Sequence, residues 1–313
     1  MKIFYELDAI TPGQFIRPVL TLGIFDGFHR GHQALIHKLN EWAAKVEGES
    51  VVITFDRIPE RVLQNKEPFQ ITSLPHRLLL FENYGINAAI VVEFNENFAQ
   101  INAGDFIRLL AERISPHGIL MGFDSAFGKG RQGTAAFARK HGEYYGIKVH
   151  EVPPLEVSGE TVSSTRIRER IIAGDLEAAT EMLGRPVSIY GLVIKGDSRG
   201  RKLGYPTANI DPEHYVRLPN GVYGGEVQVN RKTYPTLINV GRRPTFETNG
   251  RELIEAHLVG FSGNLYSEEL LVRFFKKLRD EKAFSSAEEL VRQIDADKEA
   301  FLKVYHSLRT SIS

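Results

Sequence analysis

"TLGIFDGFHRGHQAL", residues 21–35, runs from apolar residues through glycine, aspartate and two histidines into helix-forming residues. It extends "PVLTLGIF" (18–25), a nearly continuous apolar run of the same kind as "SVVITF" (50–55), "AAIVVEF" (88–94), "GILMGF" (118–123) and "KVHEV" (148–152). Strands of this texture are buried on both faces, as in a parallel sheet. Between them, Leu35, Leu39, Trp42 and Val46 recur at helical spacing, as do Phe106, Leu109, Leu110 and Ile114. The alternation predicts an open α/β sheet with ligands at the carboxyl ends of its strands. Residues 21–35 then span the first strand-to-helix crossover.

After Leu183 the texture changes. "GRPVSIYGLVIKG" opens a region of short strands punctuated by Gly, Pro and Asn. "LPNGVYGGEVQVN" carries an Asn-Gly turn signal, and "RKTYPTLINVG", "LIEAHLVGF" and "ELLVRFF" read as further strands. A long amphipathic helix closes the chain, capped at Ser285–Ser286, with Leu290, Ile294, Phe301 and Val304 on one face. An antiparallel barrel with a terminal helix fits. The expected domains are residues 1–184 and 185–313.

Lys+Arg and Asp+Glu balance at 39 each, so no global field points to nucleic acid or an anionic membrane. There is no cysteine, which excludes disulfide scaffolds, thiolate zinc sites and cysteine nucleophiles and fits a reducing compartment. "MKIFYELDAI" has no apolar signal core, and the longest apolar stretches are too short to span a bilayer. A soluble, cytoplasmic protein is expected.

The H-x-G-H run of the opening stretch sits where a strand ends and a helix begins, and there unpaired N–H groups and the helix dipole favour an anion. Gly23, Gly27 and Gly31 let backbone approach a phosphate, with Asp26 among them, and His29 and His32 donate hydrogen bonds to its oxygens as charge develops. A phosphate nucleophile is already ionised at neutral pH, so positioning and charge stabilisation carry the rate. Two later segments are expected at the same end of the sheet. "GFDSAFGKGRQGT" (122–134) is a polar loop with Asp124, Lys129 and Arg131. "VSSTRIRERI" (162–171) opens a helix with Ser163, Ser164 and Thr165, followed by Arg166 and Arg168 to clamp a phosphate.

A second site is expected at "GDSRGRKLGYPTANI" (196–210), where Gly200 and Arg201 belong to a phosphate-covering loop. Thr207 and Asn209 are neutral oxygen ligands suited to a Mg²⁺ held mainly by nucleotide phosphates. In "LIEAHLVGF", alternation puts Glu255 opposite Ile254 and Ala256 and on the side of His257. A carboxylate inside a barrel is costly unless paired or functional, which makes Glu255 the candidate base for a hydroxyl attacking a γ-phosphate.

With these residues in hand, the chain resembles the bacterial bifunctional riboflavin kinase/FMN adenylyltransferase (FAD synthetase) family, from about residue 15 to about residue 302. The likeness rests on "TLGIFDGFHRGH", "FDSAFGKGRQG" and "SSTRIR", then "GRKLGYPTANI", "NGVYGGEV", "INVGRRPTF" and "IEAHLVGF". It implies a Rossmann-like nucleotidyltransferase domain followed by a Greek-key β-barrel kinase. It further implies riboflavin + ATP → FMN + ADP at the barrel and FMN + ATP → FAD + pyrophosphate at the α/β domain, with Mg²⁺ at both. By motif match His29 and His32 bind ATP phosphates, Asp124 lies in the nucleotide/flavin loop, and Ser164, Thr165 and Arg168 close the adenylylation site. Thr207 and Asn209 hold Mg²⁺, and Glu255 activates the ribityl hydroxyl.

The chain departs from the family pattern in places. Phe55-Asp56-Arg57-Ile58-Pro59 replaces F-x-P-H-P, and Ser125 stands where phenylalanine is usual. On the kinase side Lys195 replaces a frequent histidine and Gly260 an acidic residue. Three readings stay open: the bifunctional enzyme, a riboflavin kinase with an impaired first domain, and a flavin- or nucleotide-binding sensor. A sensor has no use for both the charge-stabilising histidines and a base.

Overall fold

The five continuous apolar runs pair as parallel strands in the computed structural model, which describes residues 1–59, 69–196, 200, 203–212, 217–242 and 252–312. They are β2 (Val19–Leu22), β3 (Ser50–Phe55), β4 (Ala88–Val92), β5 (Gly118–Gly122) and β6 (Lys148–Val152), and β1 (Lys2–Tyr5) adds an edge strand beside β4. The order is β1-β4-β3-β2-β5-β6, and β7 (Glu156–Val157) and β8 (Glu160–Thr161) form a separate two-stranded sheet. Every residue of β2, β3 and β4 is buried, as strands covered on both faces require. On one face Leu20, Leu22, Val51, Ile53 and Ile90 pack with Phe106, Ile107 and Leu110 of the helix Ala103–Arg113. On the other, Val19, Val52 and Ala89 meet Leu35, Ile36 and Leu39 of α1 (Arg30–Lys45) and Leu80 and Phe81 of α2 (Leu74–Asn83).

From β2 the chain builds outward to β3 and β4 on one side and, later, to β5 and β6 on the other. The loops after β2 and β5 therefore flank the point where strand order reverses, the crevice where open α/β sheets bind ligands. That placement makes residues 23–29 and 123–134 the candidate site of the first unit.

The second half forms a closed antiparallel barrel of β9 (Val187–Ile194), β10 (Ala208–Asp211), β11 (Gly221–Val229), β12 (Lys232–Arg242), β13 (Glu252–Leu258) and β14 (Glu269–Arg279), ordered β10-β13-β12-β11-β14-β9. Three consecutive strands, β11 to β13, lie side by side, and β14 returns against β11: a Greek key. The hairpin turn joining β11 to β12 is Asn230–Arg231, with φ of 49° and 64°, a two-residue left-handed turn that matches strand twist. The Asn220–Gly221 signal instead marks the entry to β11.

The terminal helix (Ala287–Ile312) is capped as expected. Glu289 N donates to Ser286 Oγ at 3.2 Å, and the Glu289 carboxylate accepts from Ser285 N and Oγ. Phe301 and Tyr305 seat it on Leu237 and Phe275 of the barrel wall. Tyr305 also donates to the buried Glu226 at 3.0 Å, and Arg273 pairs with the same carboxylate. Burial, then that bond to a carboxylate, pushes the Tyr305 phenol up to about 12.

By Cα proximity the chain divides into one unit of residues 1–68 and 77–162 and another of residues 69–76 and 163–313. The helices α6 (Ser164–Ala173) and α7 (Leu176–Leu183) therefore group with the barrel, although the sequence changes texture only after Leu183.

Candidate active sites

Between β2 and α1 the backbone takes φ of 56° at Phe25, 77° at Gly27 and 40° at Phe28. Positive φ in two bulky residues costs of order 1–3 kcal/mol each and persists only where the surroundings impose it. Phe25 and Phe28 are buried against Phe81 at centroid distances of 5.5 Å, which anchors the turn. The turn delivers His29 as the N-cap of α1, its Nδ1 accepting from His32 N at 3.3 Å. With Nδ1 an acceptor, a neutral His29 carries its proton on Nε2. The two imidazoles stack 3.6 Å apart and 16° from parallel. The glycines serve these rings: a Cβ at Gly31 would lie 3.2 Å from the His29 ring, and one at Gly23 would lie 3.3 Å from Phe25. Asp26 is buried in the same turn.

One residue that the sequence reading passed over, Arg77 of α2, is fully buried beneath this loop. Its Nη1 donates to the Ile24 carbonyl and, at 3.2 Å, to Thr54 Oγ1, while Nη2 donates to the Phe55 carbonyl at 3.0 Å. Burial pushes its guanidinium down to about 10, opposed by the charges of Asp26 and Asp56, so it stays protonated at neutral pH. Nothing in "LPHRLLLF" (74–81) separates a buried arginine from a surface one.

The loop after β5 folds on itself, with Arg131 donating to the Asp124 carbonyl at 2.8 Å and both side chains exposed. At this departure the backbone makes a tight turn, Ser125 N donating to the Gly122 carbonyl at 3.0 Å. At the end of β3, Arg57 pairs with Asp56 at 3.1 Å, and Asp56 Oδ1 accepts from Phe94 N at 2.9 Å. Ile58 is buried. The fold absorbs these substitutions without leaving the strand end frayed.

Ser164, Thr165 and Arg168 open α6 in the second compact unit, behind an N-cap at Ser163 that accepts from Arg166 N at 3.4 Å.

In the barrel, register aligns Asn209, Glu255 and Asn239 across β10, β13 and β12. The expectation that Glu255 lies inside the barrel is corrected by the neighbouring rows. Ala208–Ala256–Ile238 and Ile210–Ile254–Val240 are buried and fill the interior, so Glu255 faces outward. Leu237, two residues from Asn239 on the same face, packs beneath the terminal helix, which fixes that face as the outer one. Keeping a half-buried carboxylate charged there costs less than in the interior, because less of its hydration is lost.

Asn209 is buried, and its Oδ1 has no hydrogen-bond partner among the described residues. Gly196 lies against its amide so closely that a Cβ there would overlap it. Asn239 was not singled out from sequence, since only strand register brings it beside Glu255. Thr207 is half-buried just before β10, and Gly200 accepts from Leu203 N at 3.0 Å and Tyr205 N at 2.9 Å to shape the preceding turn. Arg201 lies outside the described residues.

The segment carrying Thr207 is held from two sides. His257 Nδ1 contacts the Pro206 carbonyl at 2.9 Å, and its ring meets Tyr205 edge-on at 5.1 Å. Tyr205 in turn donates to Asp295 of the terminal helix, where Lys298 pairs with the same carboxylate at 2.8 Å. Burial lowers the His257 imidazole, keeping it neutral. Among the described residues no group of three or more His, Asp or Glu side chains could hold a metal ion, and no helix is long and apolar enough to cross a membrane.

Comparison with known proteins matches both halves. The FAD synthetase family covers residues 13–166 and the riboflavin kinase family residues 183–305. The chain is 35% identical over 292 residues to a bifunctional riboflavin kinase/FMN adenylyltransferase of Buchnera aphidicola, covering 92% of this chain and 94% of that protein. It is 35% identical over 301 residues to the one from Escherichia coli K12, covering 95% and 96%. A solved Streptococcus pneumoniae structure, described as a macrolide-efflux protein, shares the fold with a TM-score of 0.83 at 31% identity, covering 96% of this chain and 99% of that one. Two families in this order, each over a unit whose fold and strand-end residues suit it, make the chain a member of the bifunctional riboflavin kinase/FMN adenylyltransferase family.

Proposed function

We propose that residues 185–313 phosphorylate riboflavin with ATP through Glu255, and that residues 1–184 transfer the adenylyl group of a second ATP to FMN at His29 and His32. The observation that carries the kinase assignment is the Asn209–Glu255–Asn239 row, which places one carboxylate between two amides on an accessible face. Glu255 accepts the proton of the ribityl hydroxyl as that oxygen attacks the γ-phosphorus, and Asn239 fixes the carboxylate's approach. The donor set fits a hard divalent cation. Asn209 Oδ1 is a buried neutral oxygen without a hydrogen-bond partner among the described residues, and Thr207 adds a hydroxyl. Mg²⁺ bound there would neutralise charge on the nucleotide phosphates. Gly200, and by its sequence motif Arg201, would contribute to binding those phosphates.

At the first unit, Gly23, Asp26 and Gly31 shape the turn that aims His29 Nε2 and His32 at ATP phosphates. Their hydrogen bonds strengthen as negative charge builds in the transition state. Asp124 and Arg131 border the same strand ends. Ser164, Thr165 and Arg168 open a helix of the other compact unit and carry hydroxyl and guanidinium donors suited to a phosphate. The paired Arg57 and buried Ile58 favour a working adenylyltransferase over an impaired one. Use of ATP in both steps supports a cytoplasmic location.

A crossed pair of variants tests the division of labour. Glu255→Gln should abolish FMN formation and leave FAD synthesis from supplied FMN intact. His29→Ala should do the reverse, by about 10²-fold or more. Equal loss of both activities in either variant would contradict the assignment.

A further inference from the structure

We infer that Arg77 is a positioning residue for adenylyl transfer, latching the strained Ile24–Phe28 turn to β3 so that His29 and His32 are held in their stacked arrangement. The inference rests on the proposed role of that turn.

Three features carry it. The turn is costly by itself, with Phe25 and Phe28 both at positive φ, so something must hold its entry. That entry, the Ile24 carbonyl, accepts from Arg77 and also from Thr54 Oγ1 at 3.3 Å. The same guanidinium reaches Thr54 Oγ1 and the Phe55 carbonyl at the end of β3, tying that strand end to the turn with one planar group. Lysine offers a single point charge and cannot span the three acceptors. Burying a guanidinium under a loop is also an expensive way to obtain stability, since well-packed apolar side chains commonly replace buried charges at no loss. Its use here buys geometry at the carboxyl end of the central strands, five residues upstream of His29 at the Ile24 carbonyl.

The test combines Arg77→Lys, Thr54→Val and His29→Ala in the full-length enzyme. Kinase turnover and the cooperativity of thermal unfolding report whether each variant is folded. Arg77→Lys should lower kcat for FAD synthesis from supplied FMN by about 10-fold or more, as misplacement of catalytic groups on the ångström scale does. KM for FMN and the kinase rate should stay within about twofold of the parent. Thr54→Val, a milder change that keeps the arginine, should shift kcat in the same direction by less.

Because Arg77 acts through the turn, adding Arg77→Lys to His29→Ala should cost no more than about twofold beyond His29→Ala alone. A purely structural arginine would give independent, multiplying losses, and that result would overturn the inference. So would an unchanged kcat in both Arg77→Lys and Thr54→Val while His29→Ala is impaired. Wild-type FAD synthesis by His29→Ala would instead remove the site reading, and the inference with it.

Discussion

Replacing Gly31 by alanine sets two local effects against each other. Gly31 is the second residue of α1, and alanine is favoured over glycine in a helix by up to about 1 kcal/mol. The added Cβ would lie 3.2 Å from both Cε1 and Nδ1 of His29, tighter than most real contacts, so the ring must give way. Nδ1 is the atom that caps α1 by accepting from His32 N, and losing a cap costs about 0.5–2 kcal/mol. The two nearly cancel, leaving stability within about 1 kcal/mol of the parent. Activity has no such compensation. A ring pushed off its stack with His32 no longer aims Nε2 at the phosphates, and misplacement of that size costs roughly 10²-fold. The assay is FAD synthesis from supplied FMN, with kinase turnover as an internal control and a thermal melt alongside. A Gly31→Ala enzyme that melts higher and makes FAD at the parent rate would refute the reasoning, because the glycine would then serve neither the cap nor the ring.

Gly196→Ala should act at the other site, displacing the Asn209 amide and lowering FMN formation by about 10-fold or more while FAD synthesis from FMN is kept; activity assays on both steps check this. The neutral His257 gives a pH dependence. Its folded pKa lies below the ordinary 6.5, so as pH falls through 6.5 the unfolded chain takes up the proton first and stability drops. Denaturant unfolding from pH 7.5 to 5.5 should show that decline, and His257→Gln should flatten it; a decline of equal slope in the variant would assign it to other groups.

The parallel sheet was legible because strands covered on both faces must be apolar throughout, and all five such runs became strands. β1 was not, since "KIFY" is an edge strand with Ile3 and Tyr5 exposed, and edge position leaves no continuous apolar run. Alternation correctly set Glu255 apart from Ile254 and Ala256, yet it does not say which face is interior. Closure of the barrel decides that, by turning the buried apolar rows inward. Asn239 and Arg77 were invisible for a related reason: one reaches its site through strand register across the barrel, the other through helix packing beneath a loop. The histidines and the Thr-x-Asn pair could be proposed from sequence because the members of each set are near neighbours along the chain.

The central claim is that one chain carries out two ATP-dependent steps at separate sites. Purified protein incubated with riboflavin, excess ATP and Mg²⁺, with flavins separated chromatographically over time, tests it most directly. FMN should rise first and then give way to FAD. FMN that accumulates without any FAD, or the absence of both, would contradict the account.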